Sequence, residues 1–298
     1  QAAWTHVLIT GASSGLGRAL AEACARPGAV LHLSGRDAAR LDAAAAACRA
    51  KGAEVRPMVI DVTDPDAMAG WIGGAGRLDL VIANAGISAG TGGLTEPPAQ
   101  SRAIFATNVT GVLNTALPAI EAMAAQAPAP DGVRGRVAVI ASLAAFVAAP
   151  GAPAYCATKA AVQRWAEARD ATERARGIRL HAVCPGYVRT PMTARNEFPM
   201  PFLMDAEEAA RRTLAGIARG RVRIAYPFPT YAMARLVGAL PPAAPSGSAA
   251  VPGEGTAERG TETATTEATP APPPATTCQD GNSPSHAAAM AVENTGWM

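Results

Sequence analysis

Short, continuously apolar runs alternate with helix-forming stretches through residues 5–240 of this 298-residue chain. Seven runs have the length of a β-strand, at 6–10, 30–34, 54–60, 78–83, 136–141, 178–184 and 222–225. Most lack the apolar–polar alternation of a half-exposed strand, as expected for strands buried on both faces of a parallel sheet. The pattern therefore predicts an α/β fold, a doubly wound parallel seven-stranded sheet.

Helix-forming stretches fill the gaps between these runs, and Asp37, Asp64 and Asp205 stand where N-caps are expected. The predicted helices are 15–26, 38–51, 65–73, 99–126, 153–176 and 206–219. Residues 226–240 are apolar with a single charge. We expect them to pack against their own chain, while contact with a membrane surface or a second subunit stays open.

The composition changes after Pro245. Pro, Thr, Ala, Gly, Ser and Glu dominate residues 245–298, which bury too little apolar surface to offset the entropy of ordering. We therefore predict one folded domain, residues 1–244, and a low-complexity disordered tail, residues 245–298. The tail has a net charge of −5 and the remainder +7. That mild, dispersed excess suits an anionic small ligand and does not predict a nucleic-acid partner.

Five cysteines form no CxxC or Cys/His ligand pattern, so no metal site is expected. Their odd number and apolar surroundings favour reduced thiols in a cytoplasmic protein. No apolar run reaches the roughly 18 residues of a membrane span, and no signal peptide precedes the first predicted strand. We therefore expect no stable membrane insertion.

Tyr155 and Lys159 form a pair that composition makes improbable. The chain has two lysines and four tyrosines, and one of each falls four residues apart in a helix-forming run. On a helix that spacing puts both side chains on one face. A nearby ammonium favours phenolate and lowers the phenol pKa, as proton transfer to a carbonyl or from an alcohol requires. The alternative is an ordinary surface pair.

A glycine-rich loop, Thr10-Gly-Ala-Ser-Ser-Gly-Leu-Gly17, directly follows the first predicted strand. Glycines there let the backbone turn tightly and approach a pyrophosphate, which the N-terminus of the next helix stabilises. At the first strand–helix junction of an alternating α/β chain, this pattern indicates a dinucleotide site and a Rossmann-type sheet.

With this loop in place, the chain resembles the short-chain dehydrogenase/reductase family, in its short single-domain branch. The resemblance covers about residues 4–240. Its motifs are Thr-Gly-x-x-x-Gly-x-Gly at 10–17, Asp61-Val62, Asn84-Ala85-Gly86, Asn108 in Asn-Val-Thr-Gly, Ser142, Tyr155-x-x-x-Lys159 and Pro185-Gly186. Seven motifs in one register identify the chain as a member of that family, with an NAD(P)-binding catalytic domain in residues 1–244.

The resemblance implies roles residue by residue. Catalysis would fall to Asn108, Ser142, Tyr155 and Lys159, with Asn108 disrupting a long helix to hold a proton relay. Substrate contacts would come from Ser142, Tyr155 and Met192. Cofactor contacts would come from Gly11, Ser13, Ser14, Gly15, Leu16, Gly17, Arg36, Asp61, Val62, Asn84, Ala85, Gly86, Tyr155, Lys159, Pro185, Gly186, Val188 and Thr190. Asp61 as a cap and Pro185-Gly186 as a plain turn remain alternatives.

The end of the second predicted strand bears on the choice of cofactor. NAD-dependent relatives usually carry an acidic residue about eighteen positions after the last loop glycine, where it binds the ribose 2′-hydroxyl. This chain has Gly35 there, followed by Arg36. A missing carboxylate and a guanidinium favour a 2′-phosphate, so we expect NADP(H) rather than NAD(H). Asp37 is the main doubt, because it could turn towards the ribose instead of capping a helix.

The segment 192–204 is rich in Met, Phe and Pro and stands where the family has its mobile substrate lid. Adaptable apolar side chains there suggest an apolar carbonyl or secondary alcohol substrate, unless they only pack the lid on the body. Many relatives pair the two long helices, 99–126 and 153–176, between subunits. A homodimer or homotetramer is therefore expected by resemblance.

These observations predict an NADP-dependent oxidoreductase that moves a hydride between the nicotinamide and a carbonyl or secondary alcohol, with Tyr155 as general acid/base. The alternative is a catalytically silent NADP-binding regulatory protein, a class that typically loses the tyrosine, lysine or serine. A sugar-nucleotide epimerase or dehydratase fits less well, given the loop spacing and the low-complexity tail. Enoyl reductases use a wider Tyr-to-Lys spacing.

Overall fold

The structure is a computed structural model and describes residues 4–88, 95–196 and 198–241. The predicted tail, residues 245–298, and its boundary at 244 lie outside the described residues. Everything below concerns the described part of the chain.

Seven parallel strands form one sheet in the order β3-β2-β1-β4-β5-β6-β7. Every strand pairing in it is parallel. The strands are β1 (His6–Ile9), β2 (Val30–Gly35), β3 (Glu54–Val59), β4 (Leu80–Ala83), β5 (Gly135–Ile140), β6 (Ile178–Pro185) and β7 (Arg223–Tyr226). This confirms the predicted fold class, and each strand overlaps its sequence-based range.

Eight α-helices flank this sheet in the described residues. They are α1 (Gly15–Cys24), α2 (Ala38–Arg49), α3 (Pro65–Gly73), α4 (Pro98–Phe105), α5 (Gly111–Ala125), α6 (Pro153–Glu173), α7 (Ala206–Ala218) and α8 (Phe228–Ala239). Asp37 and Asp64 cap α2 and α3 through their carboxylates, as predicted. Asp205 occupies the N-cap position of α7, but its side chain makes no capping bond.

Two apolar cores lie on opposite faces of the sheet, because neighbouring strand residues point to opposite sides. Val7 and Ile9 of β1 pack with α1, α2 and α7, whereas Leu8 packs with α3, α5 and α6. All three of these strand residues are fully buried. The sheet is therefore covered on both faces, which explains why its strands read as continuous apolar runs.

Two features differ from the sequence-based expectation. The predicted helix 99–126 is two α-helices joined by a π-helical turn, Ala106–Thr110. The segment 226–240, for which no helix was predicted, is mostly helix α8. Several of its apolar residues are exposed, so the sequence shows no single apolar face.

The continuous helical stretch Pro98–Ala125 also qualifies the prediction about membrane spans. By length and composition it could cross a membrane, but half of its most apolar window is buried in the fold. A buried core helix passes the same test of length and composition.

The strand order reverses between β1 and β4. From β1 the chain adds β2 and β3 on one side of the sheet, and it then crosses over to add β4 to β7 on the other side. In open α/β sheets, ligands bind at the carboxyl ends of the strands beside such a reversal. The loops after β1, β4, β5 and β6 meet at this edge.

Candidate active site

The glycine-rich loop is held by Asn84, the residue that follows β4. The Asn84 side-chain amide donates to the carbonyl oxygens of Thr10 and Gly11, at 3.0 and 3.1 Å. The Thr10 hydroxyl accepts from the backbone amides of Asn84 and Ala85. Gly11 has φ 66°, a left-handed conformation that favours glycine. Two loop carbonyls are thus engaged with β4.

Helix α1 begins directly after this loop, and its N-cap residue Ser14 makes no side-chain capping bond. The first amides of a helix have no intrahelical partner and carry the positive end of the helix dipole. Because Ser14, Gly15 and Leu16 line the adjoining cavity, this end of α1 is suited to a phosphate group.

A cavity of about 710 Å³ runs along the carboxyl edge of the sheet. Every predicted cofactor and substrate residue lines it, as do Ser142, Tyr155 and Lys159. Asn108 is the one predicted site residue that does not line the cavity. The sequence pattern therefore placed nearly all of its candidates on a single surface.

Tyr155 lies in the first turn of α6, and Lys159 follows one turn later. The Lys159 ammonium lies over the Tyr155 ring, with Nζ 5.6 Å from the ring centroid. Nζ also donates a hydrogen bond of 2.8 Å to the Ile140 carbonyl at the end of β5. Lys159 is buried, so the alternative of an exposed surface pair is wrong.

Ser142 follows β5 and faces the same cavity. Its Oγ accepts a hydrogen bond of 3.1 Å from the Ala144 amide, which caps the short 3₁₀ helix Leu143–Phe146. Ser142 also acts on the neighbouring phenol, because its side chain favours a lower pKa of Tyr155. Ser142 is thus both a cap and a neighbour of the phenol, so the two interpretations of this serine hold together.

The electrostatics of the pair differ from the sequence-based argument. Burial raises the pKa of Tyr155, and the Ser142 side chain acts in the opposite direction. Burial also lowers the pKa of Lys159 to about 8. Loss of hydration, rather than the neighbouring ammonium, dominates the pKa of the phenol at these positions. The expected lowering by Lys159 is not seen here.

Asn108 sits in the π-helical turn, fully buried. Its amide donates to the Ile87 carbonyl at 2.9 Å, and its Oδ1 accepts from the Ile87 amide at 2.8 Å. A Cβ at Gly86 would lie 3.2 Å from Asn108 Oδ1 and 3.5 Å from Lys159 Nζ. Asn108 therefore interrupts a long helix as predicted, and it fixes the chain after β4 beside Lys159.

Charged side chains surround the end of β2. Asp37 caps α2 through the Arg40 amide at 3.0 Å, and it also accepts from Arg40 Nε at 2.8 Å. Asp61 accepts from the amide and hydroxyl of Thr63, and Arg36 Nη1 lies 3.8 Å from its carboxylate. Asp37 thus caps α2, whereas Asp61 only closes a local turn with Thr63, since the N-cap of α3 is Asp64. Both acids also line the cavity.

Ser34 tests whether the cavity suits a polar cofactor. It is buried at the end of β2 and lines the cavity, yet its Oγ has no hydrogen-bond partner. A buried hydroxyl without a partner is costly unless a ligand or water satisfies it. Together with the uncapped start of α1, this orphaned hydroxyl fits a dinucleotide.

The segment after β6 closes the other end of the cavity. Thr190 Oγ1 and Thr193 Oγ1 lie 3.2 Å apart, and the Thr193 hydroxyl donates to the Val188 carbonyl at 2.6 Å. Met192 lines the cavity and is 39% exposed. Farther along the predicted lid, Phe198 is exposed and packs edge-on against Tyr187.

Sequence reasoning missed several cavity residues. They are Ser34, Arg40, Ile60, Ile87, Thr107, Ile140, Ala141, Pro191 and Thr193. Arg40 had a signal in the sequence, since it follows Arg36 by four residues at the start of a predicted helix. The apolar members line the cavity through their place at strand ends, a position that residue type does not reveal.

Comparisons with known proteins show the family to which the chain belongs. Residues 5–199 match the family described as short chain dehydrogenase. The chain belongs to the short-chain dehydrogenase/reductase family, and its class is that of oxidoreductases. It is 36% identical over 245 residues to an uncharacterized oxidoreductase of Myxococcus xanthus, which covers 81% of this chain and 94% of that protein.

Two solved structures show the same fold with different cofactors. A short-chain dehydrogenase from Sphingobium yanoikuyae in complex with NADPH has a TM-score of 0.67 at 30% identity, covering 75% of this chain and 88% of that one. A short chain dehydrogenase/reductase from Burkholderia phymatum in complex with NAD has a TM-score of 0.69 at 26% identity, covering 78% and 92%. Family likeness alone therefore does not choose between the two cofactors.

Proposed function

We propose that this protein is an NADP-dependent oxidoreductase acting on a carbonyl or secondary alcohol, with Tyr155 as general acid/base. One observation carries the proposal: Tyr155, Ser142 and Lys159 line the same cavity as an uncapped helix N-terminus and its glycine-rich loop. A silent regulatory protein would have no use for the three polar groups at that position.

In the reductive direction, a bound nicotinamide would supply the hydride that the carbonyl carbon accepts. Ser142 holds the carbonyl oxygen, and the Tyr155 hydroxyl gives that oxygen its proton, so the product is an alcohol. The phenolate left on Tyr155 recovers a proton from Lys159, whose pKa near 8 allows exchange close to neutral pH. Asn108 keeps Gly86 and the end of β4 beside Lys159 during this cycle.

The preference for NADP rests on the charges at the end of β2. Arg36 and Arg40 line the cavity four residues apart, and Gly35 places no carboxylate at the position where NAD-dependent relatives usually carry one. Arg40 is paired with Asp37, whereas Arg36 has only a long contact to Asp61. Arg36 is therefore the guanidinium that we assign to the 2′-phosphate.

An apolar substrate is supported by Met192, which lines the cavity, and by the exposed aromatic residues of the lid. Met and Phe provide adaptable apolar contacts and no fixed charge for a keto acid. Ketones and secondary alcohols with hydrocarbon substituents are thus the proposed class.

We further propose a cytoplasmic homodimer or homotetramer. The four cysteines in the described residues are free and buried, as suits a reducing compartment. Phe105 of α4 and Leu117 of α5 are exposed on the helices that we expect to pair between subunits.

The activity test is NADPH consumption with a panel of apolar ketones, aldehydes and small keto acids, comparing the wild type with Tyr155→Phe. The substitution removes only the hydroxyl, so we expect kcat to fall by about 10²–10⁴-fold while NADPH still binds. A wild type that binds NADPH and reduces nothing would support the regulatory alternative. A clear preference for keto acids would overturn the apolar substrate class.

A further inference from the structure

Glu96 joins the N-terminal ends of two helices. It lies between β4 and α4, and its Oε2 accepts a hydrogen bond of 3.2 Å from the Ala154 amide, in the first turn of α6. The same oxygen accepts from the Ser101 hydroxyl in α4 at 2.7 Å, while Oε1 accepts from the Gln100 side chain at 3.4 Å. Glu96 thus bonds its neighbours in α4 and also the Ala154 amide, 58 positions farther along the chain.

Neither helix supplies a cap of its own. The N-cap of α6 is Ala152 and that of α4 is Pro97, and neither makes a side-chain capping bond. The first amides of a helix need an acceptor from elsewhere, and a carboxylate also interacts favourably with the positive end of the helix dipole. Glu96 provides both for α6 from outside that helix.

The residue after Ala154 is Tyr155. Fraying of the first turn of α6 would therefore move the phenol away from Ser142 and from the ring contact with Lys159. Lys159, one turn farther into the helix, is held independently by its bond to the Ile140 carbonyl. The start of α6 is consequently the weak point of the catalytic geometry.

We propose that Glu96 is a positioning residue for Tyr155, which it holds by capping the first turn of α6. Glu96 does not line the cavity, so it acts through the helix rather than on the substrate. This inference rests on the proposed function of Tyr155 as the proton donor.

The test compares Glu96→Ala with Glu96→Gln and with Asp64→Ala. Gln keeps an oxygen that can accept from Ala154, whereas Ala keeps none. Asp64→Ala is the matched control, because it removes a carboxylate cap from the Ala67 amide of α3, away from Tyr155. Each variant is measured for kcat with saturating cofactor, for NADPH affinity by fluorescence, and for amide hydrogen exchange at residues 152–158.

Small displacements of a catalytic group cost large factors in rate. We expect Glu96→Ala to lower kcat by about tenfold or more and to speed exchange at 154–156, with NADPH affinity within about twofold of the wild type. Glu96→Gln should recover most of kcat and of the exchange protection. Asp64→Ala should leave both unchanged.

If Glu96→Ala does not fold, Ser101→Ala replaces it, since the serine holds the carboxylate oxygen that accepts from Ala154. That variant should lower kcat by a few-fold and speed exchange at the same amides. A wild type that is active while the variants keep normal kcat and exchange would overturn the inference and leave the proposed function standing. A wild type with no activity would end both, even if exchange at α6 responds to Glu96→Ala.

Discussion

Arg36 is the residue on which the choice of cofactor depends. It lines the cavity at the end of β2, and its side chain is largely exposed. Its contact with Asp61 is long and exposed, so little free energy is lost when the guanidinium turns away from Asp61 towards a phosphate. Neither feature could be read from the sequence, which shows only that an arginine follows Gly35.

Replacing Arg36 by Asp should lower affinity for NADP by about 10- to 100-fold, because a charge-assisted hydrogen bond is lost and a repulsive charge is added. Affinity for NAD should change by less than about threefold. Binding of each cofactor, followed by isothermal titration, checks this. Arg56→Asp makes the same charge change at an exposed arginine outside the cavity and should alter neither affinity. An unchanged ratio of affinities in Arg36→Asp would contradict the assignment.

Lys159 links the site to stability. Its pKa is lowered from 10.5 to about 8 by burial, so between those values the unfolded chain holds a proton that the folded protein has released. The free energy of unfolding should therefore rise with pH across that window, by up to about 1.4 kcal/mol per pH unit. As the pH falls from about 10.5 to about 8, this gain in the free energy of unfolding is lost.

Urea unfolding of the wild type and of Lys159→Met at several pH values isolates that effect, because the other titrating groups are common to both proteins. The difference, wild type minus variant, should increase from about pH 8 to about pH 10.5. Lys51→Met changes the only other lysine, which is exposed, and should show no such trend. A flat difference for Lys159→Met would show that the ammonium is not desolvated.

The residue pattern predicted the cavity because helical periodicity and strand ends fix where a few side chains go. Tyr155 and Lys159 share a face as their spacing requires, and both line the cavity. The pattern did not predict the pKa of either group, because desolvation depends on packing from β5 and from the loop after β4. Ser34 was missed for a similar reason, since it looks like any small residue at a strand end.

At the scale of single elements, the π-helical turn Ala106–Thr110 shows what tertiary contacts add to helix propensity. Asparagine is a poor helix former, but the disturbance itself was expected from the family resemblance, since propensity alone is equally compatible with an exposed Asn. The form of the disturbance follows from Asn108 bonding both backbone groups of Ile87, on a different segment.

Asn108→Ala should reduce the free energy of unfolding by roughly 2–4 kcal/mol, because it leaves both backbone groups of Ile87 without their partner. Asn114→Ala, on the same helical stretch, removes a single bond of 2.9 Å to the Val62 carbonyl and should cost roughly 1 kcal/mol. Urea unfolding of both variants measures the comparison. Equal losses would mean that the paired bonds at Ile87 add nothing.

Helix α8 was missed because its apolar residues do not sit on one buried face. Ala234 and Thr230 are buried, while Phe228 and Leu236 are exposed. Its attachment comes from specific contacts instead: Tyr231 packs edge-on against Phe146, and its hydroxyl accepts from Arg223. Such contacts depend on distant residues and leave no periodic signal.

At the scale of the whole molecule, the two apolar cores explain why the fold class was predictable from strand and helix patterns. Both cores are built mainly from β-strands and from helices that precede α8, and α8 adds Ala234 to the core that contains Leu8. Composition placed the end of the domain at 244, shortly after α8 ends at Ala239.

We therefore expect a chain that ends at residue 244 to retain the properties of the full chain. Its free energy of unfolding should stay within about 0.5 kcal/mol, because changes outside cores and buried networks have small effects. NADPH affinity and kcat with an apolar ketone should agree within about twofold. Urea unfolding, fluorescence titration and the NADPH assay on both chains measure this.

A second truncation at residue 227, which removes α8 and the contact of Tyr231 with Phe146, should instead destabilise the protein, because Phe146 belongs to the core beside Ser142. A large loss on removing 245–298 alone would contradict the domain boundary.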